Sequence, residues 1–193
     1  TNGAVITSDT SGEIELQAGG TKIATVKSTG LEMASGKDLK NSDGKIVTNT
    51  PIVAVKMSGT QALSEATNTT IQFDTKEIDT DSAFDTSTYK FTVPTGAAGK
   101  YFISVNARID AKANTNLDLA IAAILVNNAL VKRNYVAYTA NYIRTGHPVC
   151  TAIYTLAEGD TVAGMAYGNT NSNGGTNLLA GAQTSMYIHK LIG

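Results

Sequence analysis

Residues 89–109 read YKFTVPTGAAGKYFISVNARI, and their pattern decides the fold class. Tyr89, Phe91 and Val93 alternate with polar residues until Pro94 interrupts the run. Residues 95–99 hold two glycines and read as a turn. Beyond it Tyr101, Ile103, Val105, Ala107 and Ile109 share one face of an extended chain. Phe102, Ser104, Asn106 and Arg108 share the other. Period-two alternation on both sides of a glycine-bearing turn predicts paired strands. Five connecting residues exceed the tightest hairpin turns, so a bulge or a longer loop is expected.

The rest of the chain agrees with strands. Thr, Asn, Gly, Val and Ile are abundant, and no long helix is convincing. Strand formers set among turn formers predict an all-β protein. At 193 residues there is room for one substantial domain and an appendage. The formal charge is -1 and no basic block exists, so nucleic acid has no electrostatic footprint here. No apolar run approaches the roughly 20 residues that span a bilayer, so membrane insertion is not expected. No signal-peptide pattern is present, but the chain begins without Met, so that absence decides little. The lone Cys150 excludes an internal disulfide, and in the apolar run VCTAIYTL it reads as a buried, inert thiol.

Residues 1–50 differ from the remainder. Glycines punctuate the short pieces AVIT, EIELQ, TKIATVK, LEMA, DLK and KIVT, each with few apolar residues. Such small strands cannot bury a core within one chain. The alternation in 12–18 is nevertheless too regular for a random linker. The expectation is a fibrous, intertwined β-stem in which several copies wrap around a common axis.

Pro51 marks the boundary to a head over 51–193. IVAVKM is its first strand, 58–69 is polar and flexible in character, and TIQFD turns Ile71 and Phe73 inward. An acidic connection, TKEIDTDSAFDTST, precedes the opening stretch. In LDLAIAAILV (117–126) helix and strand compete, and the Asn127-Asn128 turn favours a hairpin with the following LVKRNYVAYTA. PVCTAIYTL, TVAGMAYG and GAQTSMYIHKLIG read as the last strands. Turns at this spacing suit a β-sandwich.

Phe91-Thr92-Val93-Pro94 followed by Gly99-Lys100-Tyr101-Phe102, together with Leu156-Ala157-Glu158-Gly159-Asp160-Thr161-Val162, carries a resemblance. The head resembles the complement C1q and tumour-necrosis-factor superfamily of trimeric jelly rolls. The stem is not collagen, because glycine never recurs at every third residue. A glycine-punctuated stem under such a head is similar in organisation to the distal end of a phage tail fibre.

The resemblance implies a homotrimeric jelly-roll β-sandwich whose inner-sheet strands pack between subunits. Either Tyr101 or Phe102 then meets a neighbour, with Tyr187 and His189 beside it. Three copies of His189 would come together, and its apolar strand favours a packed histidine over a metal ligand. If the stem enters at the base, turns 95–99, 127–128 and 157–160 face the stem. Connections 110–116, 141–147 and 169–176 then face away. These are the amide-rich loops KANTN, NYIRTGH and NTNSNGGTN. Asn114, Asn116, Asn141, Tyr142, Arg144, His147, Asn169, Asn171 and Asn173 are the ligand-binding candidates there. Amides suit sugar hydroxyls, Tyr142 supplies stacking and Arg144 charge. The plainer reading is that Asn, Gly and Thr are turn residues.

Asp74, Glu77, Asp79, Asp81 and Asp85 offer oxygen ligands, but a calcium loop lacks its glycine and its terminal Glu here. A solvated acidic face is the stronger reading, and no cofactor is expected. Catalysis has little support: no nucleophile elbow is present, and Glu158 and Asp160 belong to a turn. The function expected is host attachment by a virion fibre tip outside the cell. Its partners would be itself, the rest of the fibre through the N-terminus, and a surface glycan. A bacterial or spore-surface structural trimer and a virion polysaccharide-cleaving enzyme are the alternatives.

Overall fold

The computed structural model describes residues 5–8 by backbone alone and residues 13–37, 39, 50–112, 116–138, 143–172 and 174–191 in full. The chain divides into two compact units, Thr1–Thr48 and Asn49–Gly193.

The first unit is an antiparallel meander of β1 (Val5–Ser8), β2 (Ile14–Ala18), β3 (Thr21–Lys27) and β4 (Gly30–Met33). Gly19 and Gly20, both at positive φ, make the two-residue turn between β2 and β3. Ile14, Val26 and Leu31 lie in register across three strands, and Leu16, Ala24 and Met33 form the next row on the same face. Ile14, Val26 and Leu31 remain exposed. The backbone ladder thus closes inside one chain, whereas the sequence suggested strands interwound between chains. One face of the meander is lined by apolar side chains. The pieces DLK and KIVT fall largely outside the described residues.

The second unit begins with β5 (Ile52–Met57), β6 (Gln61–Leu63), β7 (Thr69–Thr70), β8 (Thr75–Asp79), β9 (Phe84–Asp85) and β10 (Lys90–Thr92). It continues with β11 (Gly99–Asn106), β12 (Ile109–Ala111), β13 (Leu117–Val126), β14 (Ala129–Ala137) and β15 (Thr145–Gly146). It ends with β16 (Val149–Leu156), β17 (Thr161–Thr170), β18 (Thr176–Leu178) and β19 (Gly181–Lys190). One large sheet runs β14-β13-β17-β10-β9, with β7 on β17; the other runs β16-β11-β19-β5-β8. From β10 onward the long strands cross between these sheets at every connection except the β13–β14 hairpin, which is jelly-roll winding. The core between them holds Phe73, Phe84, Phe91, Ile103, Ile124 and Ile188, all buried. Each such side chain contributes about 2–3 kcal/mol by leaving water.

The strand pairing expected within residues 89–109 does not form. β10 and β11 are not partners: β10 pairs with β9 and β17, and β11 with β16 and β19. The turn between them carries the chain from one sheet to the other. Alternation states which side is buried, not which strand is adjacent. Both strands bury the expected faces, so the Phe91 and Tyr101 rings meet across the core, 5.7 Å apart and tilted by 58°. Tyr89 lies in a turn at φ +59°, not in the strand.

The 117–126 segment is strand throughout. β13 is paired on both sides, with β14 and β17, and Asn127 and Asn128 take φ of +50° and +64° in the hairpin turn. Residues 58–69 are not merely flexible, because they contain β6 with Leu63 buried.

Candidate functional site

The two ends of the head are built differently. At one end three short turns are tied together. The Gly96 amide donates to Glu158 Oε2 (3.0 Å), the Val93 amide to Asp160 O (2.9 Å), and Asn127 Nδ2 to Asp160 Oδ1 (2.8 Å). The Gly96 amide, then Thr95, holds the Glu158 carboxyl below its usual range, and Asn127, then the Ala157 amide, does the same for Asp160. Both acids serve turns, as their positions in the sequence suggested. Pro51 lies at this end, since its carbonyl accepts from the Lys190 amide.

The opposite end is capped by a small sheet, β15-β12-β18-β6. It joins the three amide-rich connections to one another. The Ala111 amide donates to Arg144 O (2.7 Å), the Lys112 amide to Gly175 O (3.1 Å) and the Leu117 amide to Ile143 O (2.8 Å). Glu65, which the sequence did not single out, latches the third connection. Its carboxylate accepts from the amides of Thr170 and Gly175 and from Thr170 Oγ1. Glu65 lies 105 residues from Thr170, so no local pattern could show this contact.

The candidate residues distribute as follows. Asn116 and Asn171 grip each other, through Asn116 N to Asn171 Oδ1 (3.2 Å) and Asn171 N to Asn116 O (3.1 Å). That favours turn-building for Asn171. Asn169 is no loop residue: it lies within β17, in register with Leu119 of β13. Arg144 and His147 are exposed at the capped end. Asn114, Asn141, Tyr142 and Asn173 lie outside the described residues.

The acidic connection is a set of turn anchors. The Asp85 carboxylate accepts from Ser87 Oγ, the Ser87 amide and Thr88 Oγ1, which lowers it from 3.8 to about 2. Asp79 accepts from the amides of Ala83 (2.8 Å) and Phe84 (3.3 Å) and pairs with Lys76. At Asp74, partial burial opposes the charge, but bonds from the Ser58 hydroxyl and amide hold the carboxyl below its ordinary value. Among the described residues no three His, Cys, Asp or Glu group as metal ligands do. Cys150 is buried, and burial pushes its thiol up, away from the reactive thiolate.

A second feature is the outer face of the five-stranded sheet. Ile153, Phe102, His189 and Ile52 lie in one register row across β16, β11, β19 and β5. Tyr187, Ala54 and Ile78 lie in the next row, on β19, β5 and β8. Ile153 is 65% exposed, Ile78 49%, Tyr187 39% and Phe102 38%. Tyr101 is 0% exposed and its hydroxyl donates to Ala97 O (2.6 Å), so the interface assignment for Tyr101 is corrected. Phe102 is the outward member of that pair.

No family model matches the chain, and no curated protein matches it in sequence. Solved structures do. The globular domain of the zebrafish complement 1qA protein is similar over 75% of this chain and 98% of its own, at 14% identity and TM-score 0.50. Eiger TNF from S. frugiperda is similar over 75% and 94%, at 14% identity and TM-score 0.55. Murine APRIL at pH 5.0 is similar over 72% and 98%, at 9% identity and TM-score 0.53. At these identities the likeness shows fold: the head is a jelly roll of the C1q and tumour-necrosis-factor kind.

Proposed function

We propose that the chain is a homotrimeric attachment protein, the tip of a phage tail fibre, with the capped end of the head presented to a host surface glycan. One observation carries this reading. The head has an exposed apolar sheet face, fit for burial against copies of itself, and a polar, loop-built end opposite Pro51, where the chain enters. Ile153, Phe102, Tyr187 and Ile78 in adjoining rows make the kind of apolar patch that marks an interface. Further apolar side chains, Leu130 and Tyr135 on the edge strand β14 and Tyr154 on β16, are exposed as well. A face on one subunit meeting an edge on the next is a heterologous contact, which gives a ring where its rotation closes and does not give a twofold dimer. The apolar face of the first unit supports the same assembly in a stem.

Binding rather than catalysis suits the capped end. The carboxylates of Glu65 and Asp110 there are already engaged, Glu65 by the Thr170 and Gly175 amides and Asp110 by Arg108, while Glu158 and Asp160 hold turns at the other end. Three equivalent sites on one rigid axis would turn weak single contacts into firm attachment. The test is adhesion of the labelled protein to cells of candidate hosts. Arg144→Ala with His147→Ala is expected to lower adhesion severalfold at unchanged assembly mass. Unchanged adhesion would contradict the capped end as the contact surface.

A further inference from the structure

A cleft of about 260 Å³ opens at the capped end of the five-stranded sheet, where β11 ends and β16 and β19 begin. Its apolar walls are Ala107, Pro148, Val149 and Ala182. Asn106, His147 and Gln183 supply its polar groups. Its size is below that of sites for drug-sized ligands and suits a single ring.

The hydrogen-bonding sense of the two amides is fixed by their neighbours. Arg108 has no acceptor, so the Gln183 atom facing its Nη1 is the carboxamide oxygen. Gln183 Nε2 therefore remains as a donor. Ser185 Oγ donates to Ala182 O (3.4 Å), so it accepts from Asn106 Nδ2 (3.1 Å). Asn106 Oδ1 therefore remains as an acceptor. Asp110 pairs with the Arg108 guanidinium at 3.3 Å, so the cleft gains no net charge from that residue. Phe102 lies four residues along β11 from Asn106, about 13 Å at strand rise, which sets the cleft clear of the centre of the apolar face.

We propose that this cleft binds the edge of a neutral pyranose sugar. Each hydroxyl of a vicinal diol can both donate and accept. One would donate to Asn106 Oδ1 while its neighbour accepts from Gln183 Nε2. The exposed Val149 and Ala182 receive the C–H face of the ring, and the exposed His147 imidazole reaches a further hydroxyl at the mouth. This deepens the glycan reading above and rests on it.

The test is saturation-transfer NMR on the full chain. The probes are the methyl glycosides of mannose, galactose and glucose, at concentrations above a dissociation constant on the order of 1 mM. At least one should give a signal in the wild type. Ala182→Phe, which fills the cleft from an exposed position, should abolish it, and Gln183→Ala should weaken binding about fivefold, the effect of one net hydrogen bond. No signal from any of the three, or a signal untouched by Ala182→Phe, overturns the proposal. Host-cell adhesion is measured on the same variants. Adhesion lost together with the sugar signal supports the cleft as the attachment site. Adhesion retained while the signal is lost removes the cleft from attachment but leaves it a sugar site, so the two readings fail separately.

Discussion

At Tyr101 the chain carries a hydroxyl into the core and gives it one partner, the Ala97 carbonyl at 2.6 Å. Burial pushes the phenol up, so it stays a neutral donor at any ordinary pH. Tyr101→Phe leaves that carbonyl without its donor and should cost about 1–2 kcal/mol in urea unfolding, with no change in assembly. Asp85 acts through charge instead. Its carboxyl is depressed from 3.8 to about 2, so its contribution is present above 3.8 and is lost as the pH falls towards 2. Asp85→Asn should therefore flatten the acid side of a melting-temperature profile in that window and change little above it. An unaltered acid limb would contradict the role. The sequence read these acids as a solvated face and did not show that Asp79 and Asp85 anchor turns, but it did show which residues of 101–109 turn inward. It could not choose between Tyr101 and Phe102 at an interface, because that choice depends on which sheet lies behind the strand. Glu65 was invisible for a simpler reason: a single carboxylate in a polar run has no local sign of partners far along the chain.

At the scale of elements, alternation in 89–109 gave the buried faces correctly and the pairing wrongly. Two amphipathic strands joined by a short turn look alike whether they share a sheet or face each other across a core. The turn residues did better. The Asn127-Asn128 pair fixed the β13–β14 hairpin, because both residues tolerate the left-handed backbone a two-residue turn demands. The division of loops into two ends was also readable, since an up-and-down path places alternate turns at opposite ends. The cap sheet was not: β12, β15 and β18 are two or three residues long, below any periodic signal. Two predictions belong here. At Gly168 of β17 a Cβ would come 2.3 Å from Thr176 Oγ1 of β18, so Gly168→Ala should destabilise the head by about 1–3 kcal/mol. Glu65→Gln should speed hydrogen exchange at the Thr170 and Gly175 amides while the amides of β11 stay protected. Equal exchange in both proteins would show that the carboxylate is no latch.

At the scale of the molecule, Ile153, Phe102, Tyr187 and Ile78 leave apolar side chains exposed in ordered rows, the kind of patch that marks an interface. The proposed assembly of copies would cover the rows on β16, β11, β19 and β5. Its most direct test is the mass of the full chain by light scattering at micromolar concentration, alone and with Phe102→Asp and Ile153→Asp combined. Three times the 20.1 kDa chain mass is expected for the wild type and a lower mass for the double variant, which keeps its fold because both positions face outward. A monomeric wild type, or a double variant that still assembles as a trimer, would contradict it.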